Sequence, residues 1–260
     1  AALTLDHLSK GRMILGLGVS GPQVVEGWYG QPFSKPLSRT REYVSIIKKI
    51  LERKDPVSNT GEHYPLPYKG AGSWDLGKPL KSITHPLRKD LPIFLGAEGP
   101  KNVTMTAEIA DGWLPLYYSP YRQEVYSDQL KDSKEGFEIS AGVTINICED
   151  LETGLIPIKN SLALYIGGMG AAKHNFHTEL MGRMGFESEA KNIQKLFLEG
   201  KRTEAAIAVP DKFADEISLV GTPERIKDRL EAWKETPITS ILVATHSPEK
   251  LREIAELVLN

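Results

Sequence analysis

The stretch Gly96-Ala97-Glu98-Gly99-Pro100-Lys101-Asn102 constrains this chain most. It follows the apolar run Pro92-Ile93-Phe94-Leu95 and precedes a helical pattern from Val103 to Ala110. That order is strand, small-residue turn, helix start. Glycine at Gly96 and Gly99 lets backbone come close to a ligand. The free N–H groups of a helix's first turn favour anions such as phosphate. A second joint of the same kind lies upstream, Met13-Ile14-Leu15-Gly16-Leu17-Gly18 followed by Val19-Ser20-Gly21-Pro22. Two such joints suit one ligand held at one sheet edge, although either alone is also what an ordinary strand-to-helix turn looks like.

The remaining pattern alternates strands with helices. Ala1 to Leu8 reads as the end of a helix and Arg12 to Gly18 as a buried strand. A helix begins at Ser34-Lys35-Pro36 and runs to about Arg53, with Tyr43, Val44, Ile47, Ile50 and Leu51 as its apolar stripe. Residues 55–83 are rich in Gly, Pro and aromatics and read as an insertion with a short hairpin over Val57 to Tyr64. Trp113 to Tyr117 and Glu138 to Cys148 read as strands, with a helix over Pro120 to Lys134 between them. Residues 151–219 show helical stretches broken by glycines and no convincing strand, which predicts a helical insertion. Thr222-Pro223-Glu224 opens a helix with Ile226, Leu230 and Trp233 on its apolar face. Ile238 to Ala244 is a strand, and Ser247-Pro248-Glu249 opens a last helix with Leu251, Ile254, Ala255 and Val258 inward. Such alternation predicts a parallel sheet covered by helices, either open or closed into a barrel.

The chain has 260 residues, enough for one large α/β domain, read here as 1–260. Its net charge is −2 and it has no long basic run, which gives nucleic-acid or membrane-surface binding no electrostatic support. No apolar run reaches membrane-spanning length, and no histidine, cysteine and carboxylate spacing makes a metal site. Cys148 is the single cysteine, so no internal disulfide forms and a cytoplasmic location is expected.

Several motifs together resemble the bacterial luciferase-like oxidoreductases, in particular the branch that uses coenzyme F-420, a 5-deazaflavin. They are Leu5-Asp6-His7-Leu8-Ser9-Lys10-Gly11-Arg12, Gly18 to Gly30, Arg39-Thr40-Arg41-Glu42-Tyr43, Gly96 to Asn102 and Ala107 to Trp113. Gly167-Gly168-Met169-Gly170, Asn175-Phe176-His177 and Gly221-Thr222-Pro223-Glu224 continue the likeness to the chain's end. The resemblance implies a (β/α)₈ TIM barrel with its site on the loops after the strands. It also implies that the family's first three βα units are missing from this chain, which opens inside a helix without an initiator methionine. A barrel so interrupted would expose a strand edge.

The same resemblance assigns residues. Ala97, Glu98, Gly99, Pro100, Lys101 and Asn102 match the family's cofactor-binding turn, and Gly18, Val19 and Ser20 the second cofactor turn. Related alcohol-oxidising enzymes carry an acid just after that second turn. Here Gly21, Pro22 and Gln23 occupy the stretch, and Glu26 is the nearest candidate acid, with a surface carboxylate as the alternative. Trp28, Tyr29, Tyr117, Tyr118 and His174 are candidates for the substrate pocket, with plain core packing as the alternative for the aromatics. The implied function is hydride transfer between coenzyme F-420 and a small organic substrate, in a homo-oligomer. The alternatives are an FMN-dependent monooxygenase fed by a partner reductase, and a non-catalytic barrel relative.

Overall fold

A run that is apolar on both faces must be covered on both faces, and Ile93, Phe94 and Leu95 are such a run, all buried. In the computed structural model, which describes residues 1–170, 175–245 and 247–259, this run is the second strand of a five-stranded parallel sheet. The first half of the chain forms α1 (Ala2–Leu8), β1 (Leu15–Gly18), α2 (Pro22–Gly27), α3 (Pro36–Glu52), β2 (Ile93–Gly96), α4 (Pro100–Ile109), β3 (Gly112–Leu114) and α5 (Glu124–Leu130). It continues with β4 (Glu138–Gly142), β5 (Thr144–Ile147), α6 (Leu151–Gly168), α7 (Phe176–Met181), a π-turn at Gly182–Phe186, α8 (Glu187–Leu198), α9 (Arg202–Ile207) and α10 (Asp211–Glu216). The close is β6 (Ser218–Gly221), α11 (Pro223–Lys234), β7 (Ser240–Leu242) and α12 (Pro248–Leu259). The sheet order is β1-β2-β3-β4-β7, with β5 and β6 paired apart from it.

Two apolar clusters cover this sheet. Val44 of α3 and Met105 of α4 pack with Ile93 and Leu95. A larger cluster joins Val103, Trp113 and Ile139 to the helices between β5 and β6 and to Ile226, Leu230 and Trp233 of α11. Helix α11 starts as its sequence dictates: the Thr222 side chain accepts from the Arg225 N–H, and proline holds the first position.

Several elements depart from the sequence expectation. The stretch Glu138 to Cys148 breaks into two strands at Val143, whose N–H donates to the Leu242 carbonyl at 3.0 Å; β4 stays in the main sheet, while β5 pairs with β6. Strand β6 lies across the end of the region expected to hold none; its four residues are all buried, so they lack the alternation that marks a half-exposed strand. In place of a hairpin over Val57 to Tyr64 stand two antiparallel bridges, Val57 to Leu80 and Asn59 to Leu66. Strand β1 begins three residues after Arg12 and is half-exposed rather than buried, since within this sheet it pairs on one side, with β2. Strand β3 ends at Leu114, before Pro115, which cannot donate to the ladder.

Gly112 shows how tightly this sheet is set. A Cβ there would lie 2.7 Å from a Phe94 ring atom and 2.8 Å from the Glu138 carbonyl oxygen of the neighbouring strand. Overpacking of this kind costs about 1–3 kcal/mol. Gly112→Ala is therefore expected to lower the unfolding free energy by that amount, seen as a lower urea midpoint at unchanged m-value; an unchanged midpoint would show that the strands separate freely here.

Candidate active site

All five strands are parallel, so their carboxyl ends share one edge. Strands β1 and β2 are neighbours in the register Leu15↔Ile93 to Gly18↔Gly96, which sets the two glycine-bearing turns side by side. Gly18 and Val19 from one turn and Gly96 and Asn102 from the other line a single cleft of about 210 Å³. Arg39 and Thr40 of α3 line the same cleft, and Arg39 Nη2 donates to the Pro32 carbonyl at 2.9 Å. Ser20 holds a left-handed backbone, φ 59°, which non-glycine residues seldom adopt.

Gly99 caps α4 with an extended backbone, φ −69° and ψ 143°, and makes no side-chain capping bond. Any residue can adopt that conformation. A Cβ at Gly99, or at Gly18, would meet nothing within 4 Å. These glycines therefore face open space rather than other parts of the protein. The Asn102 and Val103 N–H groups turn back to the Gly99 carbonyl at 2.9 and 3.0 Å. Pro100 has no N–H, and Lys101 is exposed on the same first turn.

The turn is held from behind. Trp113 Nε1 donates to the Ala97 carbonyl at 2.8 Å, and the indole is wholly buried against Tyr118 and Tyr126. Arg183, in the π-turn, donates from Nη2 to the Glu98 carbonyl at 2.8 Å. The Glu98 carboxylate reaches His177 of α7, Oε2 to Nδ1 2.7 Å, with side chains 17% and 13% exposed. The two atoms approach without the alignment of a hydrogen bond, and neither has a hydrogen-bond partner among the described residues. Asn175 fixes the start of α7: its Oδ1 accepts from the His177 and Thr178 N–H groups, and its Nδ2 donates to the Tyr165 and Ile166 carbonyls.

The His177 ring lies 5.1 Å from the Tyr165 ring and 6.3 Å from the Tyr117 ring, both edge-on. Burial pushes the Tyr117 hydroxyl far above its ordinary range, so it stays protonated. That hydroxyl meets Ser161 at 3.4 Å. Tyr117 and Tyr165 belong to a second cavity, of about 370 Å³, between the carboxyl ends of β4 and β7 and the α6 helix.

The family described as luciferase-like monooxygenase matches residues 1–240. The chain belongs to that family. A protein of Mycobacterium tuberculosis, provisionally named a coenzyme F-420-dependent oxidoreductase, is 49% identical over 267 residues, covering 99% of this chain and 77% of the relative. A 5,10-methylenetetrahydromethanopterin reductase of Archaeoglobus fulgidus is 26% identical over 264 residues, covering 96% of this chain and 73% of that one. Among solved structures, the coenzyme F-420-dependent tetrahydromethanopterin reductase of Methanopyrus kandleri superposes with a TM-score of 0.71 at 22% identity, over 99% of this chain and 75% of that one. The fold is thus the luciferase-like (β/α)₈ barrel type, and the strands of this chain form a parallel arc of it.

In this luciferase-like chain the two turns come together as the sequence suggests, and other candidates lie elsewhere. Trp28 and Tyr29 are 82% and 68% exposed and line neither cavity. Tyr118 is 1% exposed, packed against Trp113, Tyr126 and Trp233, and burial pushes its hydroxyl up to about 12. Glu26 accepts from the Phe33 N–H at 3.1 Å and closes its own loop. His174 lies outside the described residues. Arg183, Ser161 and Tyr165 carry no local motif, and only their contacts across the helical region identify them. Among the described residues no group of three or more metal-binding side chains is present, and no helix is long and apolar enough to cross a membrane.

The Trp113–Ala97 bond offers a direct test of how the turn is held. Trp113→Phe leaves the Ala97 carbonyl, on a buried residue, without its partner, which costs about 1–3 kcal/mol. Urea unfolding is expected to show that loss, and an unchanged midpoint would mean the bond adds nothing to the turn.

Proposed function

We propose that this chain is a coenzyme F-420-dependent oxidoreductase that transfers hydride between the deazaflavin and a small organic substrate. The observation that carries this reading is the pairing of Gly18 with Gly96, which sets two glycine turns around one cleft in a chain 49% identical to a relative provisionally named for that cofactor. The cleft fits a phosphate-bearing ring cofactor. The first turn of α4 has no side-chain cap, and the space beside Gly18 and Gly99 would be lost to any larger side chain. On this reading Gly99, Lys101 and Asn102 hold the anionic side, while Gly18, Val19, Ser20, Ala97 and Pro100 border the ring.

When bound, a deazaflavin supplies two electrons as hydride. The chain's own residues do the rest. Trp113 and Arg183 fix the turn through the Ala97 and Glu98 carbonyls. Glu98 Oε2 and His177 Nδ1 meet at 2.7 Å at the back of that turn, both side chains mostly buried. We read residues 1–260 as one barrel domain with insertions at 55–83 and 151–219, working in the cytoplasm as a homo-oligomer; its single cysteine suits a reducing compartment.

Equilibrium titration with oxidised coenzyme F-420 and with FMN tests the reading. The deazaflavin is expected to bind, and Gly99→Val to weaken it at least about tenfold, or about 1.4 kcal/mol, without loss of thermal stability. The family's monooxygenase description favours FMN as the second reading. Tight FMN binding with no affinity for the deazaflavin would put that reading in place of ours.

A further inference from the structure

The segment that follows α3 wraps one of that helix's own side chains. Asn59 and Leu66 pair as an antiparallel bridge, N–H to carbonyl at 3.0 Å one way and 2.8 Å the other, which closes a loop over residues 60–65. The Glu42 carboxylate of α3 sits in that loop. Its Oε2 accepts from the Tyr64 N–H at 3.0 Å, the His63 N–H at 3.1 Å and Asn59 Nδ2 at 3.2 Å. Its Oε1 accepts from the His63 N–H at 3.2 Å, and Asn59 Nδ2 donates also to the Tyr64 carbonyl at 2.9 Å. Gly61 lets the loop close this far, since a Cβ there would lie 2.2 Å from the carboxylate. Burial alone would raise the Glu42 carboxyl. The Tyr64 and His63 amides and the Asn59 side chain outweigh it and hold the group below its ordinary range, ionised at neutral pH.

Tyr64 is the residue by which this loop reaches the cleft. Its ring packs on Tyr43 of α3, with centroids 5.7 Å apart. Both tyrosines line the cleft together with Gly18, Gly96 and Asn102 of the two strand-end turns. Two further contacts tie the loop to α3: Ser38 Oγ meets His63 Nε2 at 2.7 Å, and Lys35 pairs with Glu62 at 2.6 Å. These grip side chains of the loop, and the ion pair stands in solvent, where such pairs add little. Glu42 instead grips the backbone N–H of Tyr64 itself, in a charge-assisted bond.

We infer that Glu42 is a positioning residue for the cofactor: caught in the loop that closes between Asn59 and Leu66, its carboxylate holds Tyr64 against Tyr43 as one wall of the cleft. The inference rests on the cofactor reading above. Glu42 is not among the residues that line the cleft, so it acts through Tyr64 and not by touching the ligand. A wall fixed in advance spares the ligand the ordering of that wall when it binds. Without the carboxylate, the ligand must order the loop as it binds, and affinity falls.

The test uses the full chain labelled with nitrogen-15 tyrosine, the variants Glu42→Ala and Tyr64→Ala, their double variant, and oxidised coenzyme F-420. The amide resonance missing from Tyr64→Ala is that of Tyr64. An amide that donates to a carboxylate resonates downfield, so Glu42→Ala is expected to move the Tyr64 resonance upfield, while those of Tyr118 and Tyr126 in the core stay in place. Glu42→Ala and Tyr64→Ala are each expected to weaken the deazaflavin about fivefold, near 1 kcal/mol. The double variant is expected to bind no more weakly than Tyr64→Ala, because a residue that acts through Tyr64 then has nothing left to place. A Glu42 that only stabilised the fold would add its loss to that of Tyr64. Gly61→Ala, whose Cβ displaces the carboxylate, is expected to reproduce both the resonance shift and the weaker binding, and serves should Glu42→Ala fold poorly. An unmoved Tyr64 resonance, an unchanged affinity in Glu42→Ala, or losses that add in the double variant each overturn the positioning role; a native chain that still binds the deazaflavin keeps the cofactor reading. A native chain that does not bind it overturns the cofactor reading, and the positioning role with it, whatever the Tyr64 resonance shows.

Discussion

The parallel ladder between β1 and β2 is the constraint on which the site depends. Its register ends with Gly18 beside Gly96, so the chain leaves both strands at the same height. Side chains alternate along a strand, so a slip of one residue would turn Leu95 out of its cluster and part the two turns. Three buried residues of β2 resist such a slip, and so does Asp111 at the strand's other end. The Asp111 side chain accepts from the Ile93 N–H at 2.9 Å and its own N–H donates to the Ile93 carbonyl at 2.8 Å. The same carboxylate pairs with Lys134. Hydrophobic burial and one well-used carboxylate thus set the position of a site at the opposite end of the strand.

The Glu98–His177 contact does a different job. The contact is mostly buried, where desolvation offsets most of any attraction between titratable groups, so it adds little net stability. Its consequence is geometric: a residue in the loop after β2 is tied to a helix some eighty positions later in the chain. Arg183 makes the same link through the Glu98 carbonyl, and Asn175 ties α7 back to α6. The helices between β5 and β6 are therefore tied to the turn after β2. Since α6 roofs the second cavity, that cavity's depth is set by the same contacts.

How much of this the sequence made legible follows from the range of each interaction. The α11 start was readable because Thr222, Pro223 and Glu224 act on their own helix within a turn. The glycine turns were readable for the same reason. The split at Val143 was not, because two different partners, β7 and β6, compete for one alternating stretch, and the local mark of the break is a single glycine, Gly142 at the end of β4. Trp28 and Tyr29 show the converse error: aromatic character promised burial, yet they follow directly on a six-residue helix with no buried residue and are exposed. Ile46, omitted from the expected α3 stripe, is buried, whereas Tyr43 is nearly half exposed, at the cleft. A helix face seen as a stripe fixes its centre better than its margins.

Glycine was the most ambiguous signal, and the structure separates its two uses by a simple criterion. Gly167 and Gly168 at the end of α6 resemble ligand-binding glycines in sequence. A Cβ on either would sit 2.4 Å from an atom of Phe197 in α8, so their role is to let two helices close. Gly154 likewise lies under Cys148 and Val220, where α6 meets β5 and β6. A Cβ on Gly18 or Gly99 would find no neighbouring atom within 4 Å. A glycine that packs against its own protein has its reason inside the fold. One that faces open space in an unstrained conformation gains nothing from being glycine unless something outside the chain fills that space. The two strand-end glycines thus leave the space beside the cleft open, and those of α6 account for its close approach to α8 and to β5 and β6.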